Sequence, residues 1–140
     1  AKLEIRPTSE FMSLFYEAWR RERLFIMTPE LKRSLYAFAK LYIKPRDDFF
    51  EHWYESFKRQ LSDRNFEAMK EYQIDYLSFD GTTVASFLWA FGRLKIEPTK
   101  RFMDKWYPLA LKFIPYFTPQ DLTNCLWAFG TLRMRPEDVF

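Results

Sequence analysis

The sequence predicts an all-α fold, an α-solenoid of antiparallel helix pairs with a 38-residue repeat, and three observations predict it. First, a 15-residue segment occurs three times in related form, at 31–45 (LKRSLYAFAKLYIKP), 84–98 (VASFLWAFGRLKIEP) and 122–136 (LTNCLWAFGTLRMRP). Second, each segment ends in Leu-x-(Ile/Met)-x-Pro, and a fourth copy of that ending closes at Pro7. Third, these four prolines are spaced by 38, 53 and 38 residues. A fixed period of this length is typical of stacked helical repeats.

The proline spacing predicts one helical-repeat domain of three hairpins with a partial repeat at each end. The middle hairpin carries 15 extra residues near 61–78, predicted either as a short helix capped by Ser62 or Asp63 or as longer flanking helices. We favour a tolerated insertion over a protrusion that docks on a partner. We expect the chain to be a window of a longer array. The predicted units are 1–7 (end of a preceding repeat), 8–45, 46–98, 99–136 and 137–140 (start of the next repeat).

The first helix of each pair is expected to begin after the proline, which cannot continue the preceding helix. In the third pair, Phe102, Trp106 and Leu109 lie at i, i+4 and i+7 and form a helical stripe. Pro108 lies inside that stripe. We therefore expect it to kink the helix or to end the regular part early.

The second helix of each pair is expected to begin at a capping residue. Thr118, followed by Pro119, combines a good N-cap with a good first-turn residue. Thr28 and Pro29 repeat that combination in the first pair. Asp80 is the predicted cap in the second pair.

At about 100° per residue, the second helix of the third pair divides into an apolar and a polar face. Gly130 is small and lets another backbone approach closely, as do its counterparts Gly92 and Ala39. The polar face varies between copies, and Ala85 is among its counterparts in the second pair. The apolar positions are Leu122, Cys125, Leu126, Ala128, Phe129 and Leu132, and the opposite positions are Gln120, Thr123, Asn124, Trp127 and Thr131.

Composition narrows the class of protein. The chain has 140 residues and a net charge of +3, which is compatible with nucleic-acid binding but gives it only weak support. The single cysteine, Cys125, favours a reducing compartment. No apolar run reaches the roughly 18 residues that a membrane-spanning helix needs.

Enzymatic chemistry has no support in the sequence, which lacks a glycine-rich phosphate loop, a Ser-His-Asp set and a paired zinc motif. His52 has metal-ligand spacing with Asp48 and Glu55, but no second His or Cys accompanies it, so we expect an exposed acidic surface. Cys125 lies among apolar positions and is expected to fill the core. We predict no catalytic residue, no metal, no cofactor and no small-molecule substrate.

A polar face that varies on a constant scaffold is typical of modular binding surfaces, and helical repeats can read RNA one base per repeat. Amides and hydroxyls can contact base edges, and lysines and arginines can contact phosphates. Basic residues recur near the end of each second helix and would form a stripe in stacked repeats, although such residues also simply favour helix C-termini. The candidate RNA-binding residues are Lys32, Arg33, Lys40, Lys44, Thr82, Ser86, Arg93, Lys95, Gln120, Thr123, Asn124, Arg133 and Arg135.

Tyr36, Trp89 and Trp127 hold the same place in the three copies. Their rings could stack on RNA bases. Their near-identical spacing favours packing between successive second helices, with the polar N–H or O–H group at the edge.

The third copy carries a family pattern, since its second helix reads Pro-Gln-x-Leu-x-Asn-x-Leu-Trp-Ala-x-x-x-Leu. A 38-residue hairpin with this helix resembles the octotricopeptide repeat and the related heptatricopeptide repeats that accompany RAP domains. The resemblance spans almost the whole chain, with Thr82 and Ser86 replacing the Gln and Asn in the second copy, and Tyr36 replacing the Trp in the first. The matching residues are Pro119, Gln120, Leu122, Asn124, Leu126, Trp127, Ala128 and Leu132.

The resemblance implies a non-catalytic RNA-binding protein of an organelle, a mitochondrion or alternatively a plastid. Such proteins act in RNA maturation, stability or translation, or belong to the mitochondrial ribosome and bind rRNA. The implied partners are single-stranded or ribosomal RNA and protein neighbours in a larger assembly, and not a membrane. The alternative is a protein–protein scaffold in a large organellar complex, which would dock through the aromatic residues Phe15, Tyr16, Trp53, Tyr54, Tyr72 and Tyr76.

Overall fold

The computed structural model describes residues 5–61 and 79–136, and every regular element within those ranges is helical. The all-α prediction is confirmed for this part of the chain. The predicted insertion helix and most of the two partial repeats lie outside the described residues. Short 3-10 turns at Arg23–Phe25 and Ile114–Tyr116 lead towards the second and last helices. The α-helices are α1 Ser9–Arg21, α2 Thr28–Leu41, α3 Asp47–Gln60, α4 Gly81–Leu94, α5 Lys100–Phe113 and α6 Pro119–Leu132.

The helices lie in two rows. α4 lies between α2 and α6 and contacts both, while α1 contacts α3. The ring centroid of Phe102 on α5 lies 5.8 Å from that of Trp53 and 5.0 Å from that of Phe57, both on α3. The first row therefore contains α1, α3 and α5, the second row contains α2, α4 and α6, and buried aromatic rings lie between them.

Two buried indole rings bind the rows together. The Nε1–H of Trp53 donates to the carbonyl oxygen of Leu31 at 3.0 Å, which joins α3 to α2. The Nε1–H of Trp106 donates to the carbonyl oxygen of Val84, also at 3.0 Å, which joins α5 to α4. A buried N–H without an acceptor would be costly. Each bond therefore fixes a first-row helix on the helix that precedes it in the chain.

Helices α2, α4 and α6 end in the same backbone conformation. Tyr42, Lys95 and Arg133 follow them with φ of 55°, 56° and 55°, in the left-handed region. In each case the N–H of this residue donates to the carbonyl oxygen three residues earlier. The N–H of the following residue donates to the carbonyl oxygen five residues before itself, as Ile96 does to Phe91. These bonds satisfy carbonyls that a helix end would otherwise expose. The three caps have the same spacing as the prolines that follow them.

The predicted N-caps are confirmed at Asp80, whose Oδ1 accepts the N–H of Thr83 at 2.7 Å, and at Thr118, which forms a reciprocal capping box with Asp121. The prediction is wrong at Thr28, which is the first residue of α2 and is not its cap. Helical hydrogen bonding starts one residue earlier, because the N–H of Leu31 already donates to the carbonyl of Met27.

Helix α5 continues through Pro108 to Phe113, so the early end is wrong, while the alternative, a kink at Pro108, stays a prediction. Pro108 is exposed, and the residues on both sides of it, Tyr107 and Leu109, are buried. The packing of these neighbours keeps the helix on the core, and proline removes only one main-chain hydrogen bond.

The predicted apolar face of α6 is only partly buried. Cys125, Ala128 and Phe129 are buried, whereas 43% of Leu122 and 66% of Leu126 is exposed. Leu132 is half-buried. The difference arises because, among the described residues, α6 has a neighbour in its row on one side only, whereas α4 is covered on both sides. For the same reason Ala85, predicted on the polar face of α4, is fully buried.

Two glycines at matching positions meet different surroundings. A Cβ atom on Gly92 would lie 3.0 Å from the Trp127 ring and 3.1 Å from the Cα of Ala128, so Gly92 permits the close approach of α4 and α6. A Cβ atom on Gly130 would meet no described atom within 4 Å. The predicted close approach therefore holds at Gly92, while Gly130 is open.

This pair gives a matched test. Gly92→Ala is expected to lower the free energy of unfolding by about 1–2 kcal/mol, because overpacking the α4–α6 contact outweighs the helix propensity gained. Gly130→Ala is expected to raise it by about 0.5–1 kcal/mol, since alanine simply favours the helix there. Urea unfolding followed by circular dichroism measures both, and equal effects of the two substitutions would contradict this packing.

Candidate nucleic-acid interface

The candidate RNA-binding residues all lie on α2, α4 and α6 or directly after them, which places them on the second row of helices. None of them lies on α1, α3 or α5. Most are exposed and four are half-buried. The half-buried residues are Lys32, Ser86, Arg93 and Asn124, and the exposed ones are Arg33, Lys40, Lys44, Thr82, Lys95, Gln120, Thr123, Arg133 and Arg135.

The structure brings several of the predicted cations together in a groove at the ends of α2 and α4. The groove has a volume of about 260 Å³ and is lined by Tyr42, Lys44, Arg93, Leu94 and Lys95. Three of these five side chains carry a positive charge. Such a concentration of cations offsets the partial negative charge of two helix C-termini and leaves a surface suited to an anion.

Arg93 is held in place by contacts at the end of α2 and on its own helix, α4. Its Nε–H donates to the carbonyl oxygen of Ala39 at 2.9 Å, across the contact between α4 and α2. Its guanidinium carbon lies 4.0 Å from the Tyr42 ring centroid and 5.5 Å from that of Trp89. Guanidinium groups stack favourably on aromatic faces. The bond to Ala39 uses one of five N–H donors, so a fixed charge with further donors faces the groove.

Carboxylates do not neutralise the candidate cations in the described part of the chain. The ion pairs found there are Arg21–Glu22, Lys58–Glu55 and Lys100–Asp104. These pairs lie on or beside α1, α3 and α5, away from the row that carries the candidates.

Three of the predicted polar residues already donate their hydroxyl hydrogens within the protein. Ser86 donates to the carbonyl of Thr83 at 2.7 Å and Thr123 donates to that of Pro119 at 2.9 Å. Thr82 donates to the Asp121 carboxylate at 3.3 Å. A hydroxyl has one hydrogen, so these side chains are left with their acceptor positions for a ligand.

The row of aromatic residues packs between helices, as the sequence favoured. The rings of Tyr36 and Trp89 stack with centroids 5.6 Å apart, across the contact between α2 and α4. Trp127 lies over Gly92. Tyr36 and Trp127 remain partly exposed, so each keeps some aromatic surface towards the solvent.

Sequence reasoning missed Tyr42, which lines the groove and supports Arg93. The available signal was its position, one residue before Ile43 in the repeated ending, where Lys95 and Arg133 stand in the other copies. The left-handed backbone at that position gives Tyr42, Lys95 and Arg133 equivalent places at the ends of their helices.

The aromatic surfaces predicted for protein docking are wrong where the structure describes them. Tyr16, Trp53 and Tyr54 are buried and Phe15 is half-buried, because α3 packs against α1, α2 and the Phe102 ring. The remaining two tyrosines of that prediction lie outside the described residues.

Comparison with known proteins adds no assignment: the chain matches no family model, no curated protein and no solved structure. Within the described residues, no helix is long and apolar enough to cross a membrane.

Cys125 is buried on α6, and its surroundings suppress thiolate formation. Burial raises the pKa of the thiol to about 12, and the nearby Asp121 carboxylate acts in the same direction. The neutral thiol contributes to stability below pH 9, and that contribution is lost as the pH rises towards about 12. At neutral pH the side chain is an uncharged part of the core.

Iodoacetamide should therefore react with native Cys125 at least about 100-fold more slowly than with the urea-unfolded chain at pH 8, since only the thiolate attacks. Because the chain has one cysteine, intact-mass spectrometry follows the reaction directly. Similar rates for the native and unfolded chains would show that the thiol is neither buried nor held neutral.

Proposed function

We propose that this chain is part of an α-solenoid of 38-residue helical hairpins and that it binds RNA without catalysing a reaction. The observation that carries the proposal is the groove in which Lys44, Arg93 and Lys95 gather against Tyr42 at the ends of two adjacent helices. Phosphate contacts by such cations supply most of the affinity for single-stranded RNA.

Recurring local geometry supports the solenoid. The indole bonds of Trp53 and Trp106 reach carbonyls at Leu31 and Val84, and donors and acceptors are displaced by the same 53 residues. The left-handed caps of α2, α4 and α6 follow the spacing of 53 and 38 residues. A solenoid is a stack of units that share the same internal bonds and contact the same neighbours.

The end of α6 extends the cationic surface along the row. Arg133 occupies the same left-handed cap position on α6 that Lys95 occupies on α4. Arg135 follows it and is exposed. Packed helices lie roughly 8–10 Å apart, so these side chains recur at that interval. A single strand that follows the row meets a cation at each helix end.

Groups suited to bases lie on the same row of helices, nearer to the helix starts than the cations. Gln120 and Asn124 on α6 carry amides that can both donate to and accept from a base edge. The exposed parts of Tyr36 and Trp127 offer aromatic surface on which a base could stack. We propose phosphate contacts at the helix ends and base contacts nearer to the helix starts.

The cellular setting in this proposal comes from the resemblance to octotricopeptide and heptatricopeptide repeats. It is a mitochondrion, or alternatively a plastid, where the protein acts in RNA maturation, stability or translation or binds rRNA as a ribosomal component. Ultraviolet crosslinking in fractionated cells, followed by sequencing of the attached RNA, tests this. Crosslinks confined to cytosolic RNA would rule out the organellar setting.

A protein–protein scaffold is the second candidate function. It is favoured by exposed apolar side chains outside the second row of helices, which carries the candidate RNA-binding residues. Leu24 and Phe25 are 67% and 73% exposed, and Phe11 and Leu14 on α1 are also exposed. Apolar surface of this kind often marks contacts with other proteins. The two functions are compatible in a large assembly, since they use different rows of helices.

The charge-reversed triple variant Lys44→Glu, Lys95→Glu and Arg133→Glu tests the RNA proposal. We expect it to bind a single-stranded RNA oligonucleotide at least about 10-fold more weakly than the unaltered chain. We also expect the slope of log K against log salt to become shallower by roughly 0.7 for each phosphate that the variant no longer neutralises. Fluorescence anisotropy at several salt concentrations measures both quantities.

The matched control reverses three exposed lysines of the other row, as Lys58→Glu, Lys100→Glu and Lys112→Glu. Both variants change the net charge equally, so a non-specific charge effect would weaken RNA binding equally in both. Equal losses, or an affinity that does not depend on salt, would refute a phosphate-binding row.

A further inference from the structure

A pocket opens between the starts of α3 and α5. Its volume is about 410 Å³, and its lining comes from these two helices, from α4 and from the segment that follows α4. Helix α5 packs closely on α4, whereas it reaches α3 through side chains such as Phe102. This spacing leaves room between the two first-row helices. Three helices from the interior of the chain bound the pocket, so its opening does not arise from the ends of the sequence.

The floor of the pocket consists of packed apolar side chains. The rings of Phe50 and Phe91 stack with centroids 5.7 Å apart, and the centroid of Phe102 lies 5.1 Å from that of Phe91. Phe91 and Phe102 are buried, while Phe50 and Ile96 are half-buried and leave apolar surface to the pocket. Because the three rings hold one another, the floor has its shape before any ligand arrives, which lowers the cost of binding.

The rim of the pocket is acidic, although the whole chain has a net charge of +3. Asp47 and Glu51 lie one turn apart on α3, and Glu97 lies between α4 and α5. All three are exposed. Within residues 5–61 and 79–136, none of these carboxylates takes part in an ion pair. Their charges attract a cation from outside the chain and repel the phosphates of RNA.

Arg101 also lines the pocket and shows how a guanidinium group fits there. Its guanidinium carbon lies 4.4 Å from the ring centroid of Tyr54, another lining residue. Guanidinium groups stack favourably on aromatic faces. Three carboxylates and one guanidinium group leave the lining with a net charge of −2. A second guanidinium group is therefore still attracted.

We propose that the pocket binds an arginine side chain of a protein partner, with apolar residues on either side of that arginine. The methylene stem packs on the aromatic floor while the charged end stays at the rim. The planar fork of arginine bonds a carboxylate through two N–H groups and stacks on rings, so it suits both parts of the pocket. Pockets of roughly 300–1,000 Å³ enclose most of a small ligand. None of the candidate RNA-binding residues lines this pocket, so the arginine site is independent of the proposed RNA binding.

The charge of the pocket favours a separate basic partner over the chain's own insertion. Residues 62–78 contain four carboxylates and two cations in the sequence. Their net charge has the same sign as that of the pocket lining. A basic segment of another protein supplies the opposite charge.

A chemical-shift titration of the full isotope-labelled chain tests the proposal with two peptides. The first is acetyl-Gly-Leu-Arg-Leu-Gly-amide, and the second carries citrulline, an uncharged analogue, in place of the arginine. The arginine peptide should shift the amide signals of Phe50 and Ile96 and bind in the submillimolar range. The citrulline peptide should bind at least about 5-fold more weakly, since it loses its charge pairs with the rim. Added salt should weaken the arginine peptide's binding.

The double variant Glu51→Gln with Glu97→Gln removes two of the three carboxylates. It should bind the arginine peptide about 3- to 10-fold more weakly. Both positions are exposed, so the thermal stability of the unaltered chain should be kept. The matched control is Glu17→Gln with Glu30→Gln, which changes the net charge equally at exposed positions outside the pocket. The control should bind the peptide like the unaltered chain.

Equal affinities for the two peptides, or equal losses in the two double variants, would overturn the arginine site. Acetyl-arginine-amide that binds as tightly as the peptide would assign the pocket to a free guanidinium compound. Shifts of Phe50 and Ile96 that grow with protein concentration in the absence of peptide would assign it to a second copy of the chain. Either of these results would also overturn docking of a protein partner.

Discussion

The indole N–H groups of Trp53 and Trp106 decide how the two rows of helices meet. Each donates to a main-chain carbonyl at the fourth residue of the preceding helix, at Leu31 and Val84 respectively. A directional bond at this depth fixes both the distance and the rotation of the helix that carries the tryptophan, because a misaligned buried N–H would go unpaired. Once that rotation is set, the neighbouring rings, among them Phe57 and Phe102, fall into the space between the rows.

Helix periodicity, capping residues and the repeated Pro-terminated ending were enough to predict an all-α chain and the caps at Asp80 and Thr118. They were not enough to predict burial. Leu88 and Leu126 stand in almost the same local sequence, LWAFG, yet one is fully buried and the other is mostly exposed. Burial depends on whether another helix follows in the row, and a local pattern does not contain that information. The same gap explains Ala85, which was predicted to face outwards and is buried on α4.

The residues of the candidate site also differ in how far the sequence alone predicts them. The cations were predictable because charge recurs at the helix ends, where Lys95 and Arg133 share one backbone conformation. The internal bonds of Ser86 and Thr123 were not, because a hydroxyl on a helix can turn back to a carbonyl three or four residues earlier or point outwards. Tyr42 escaped notice because its role is to support Arg93, and that contact joins two helices far apart in sequence.

Arg93 links the packing of the row to its proposed binding surface. The same guanidinium group bonds the carbonyl of Ala39 on α2 and lines the cationic groove. The position of its charge therefore depends on how closely α4 approaches α2, and small residues set that approach, as Gly92 does between α4 and α6. A larger residue at such a contact would separate the helices and move the cations apart, even though it touches no ligand. Selection for a fixed spacing of cations along the row would thus act on buried glycine and alanine positions as well as on the exposed lysines and arginines.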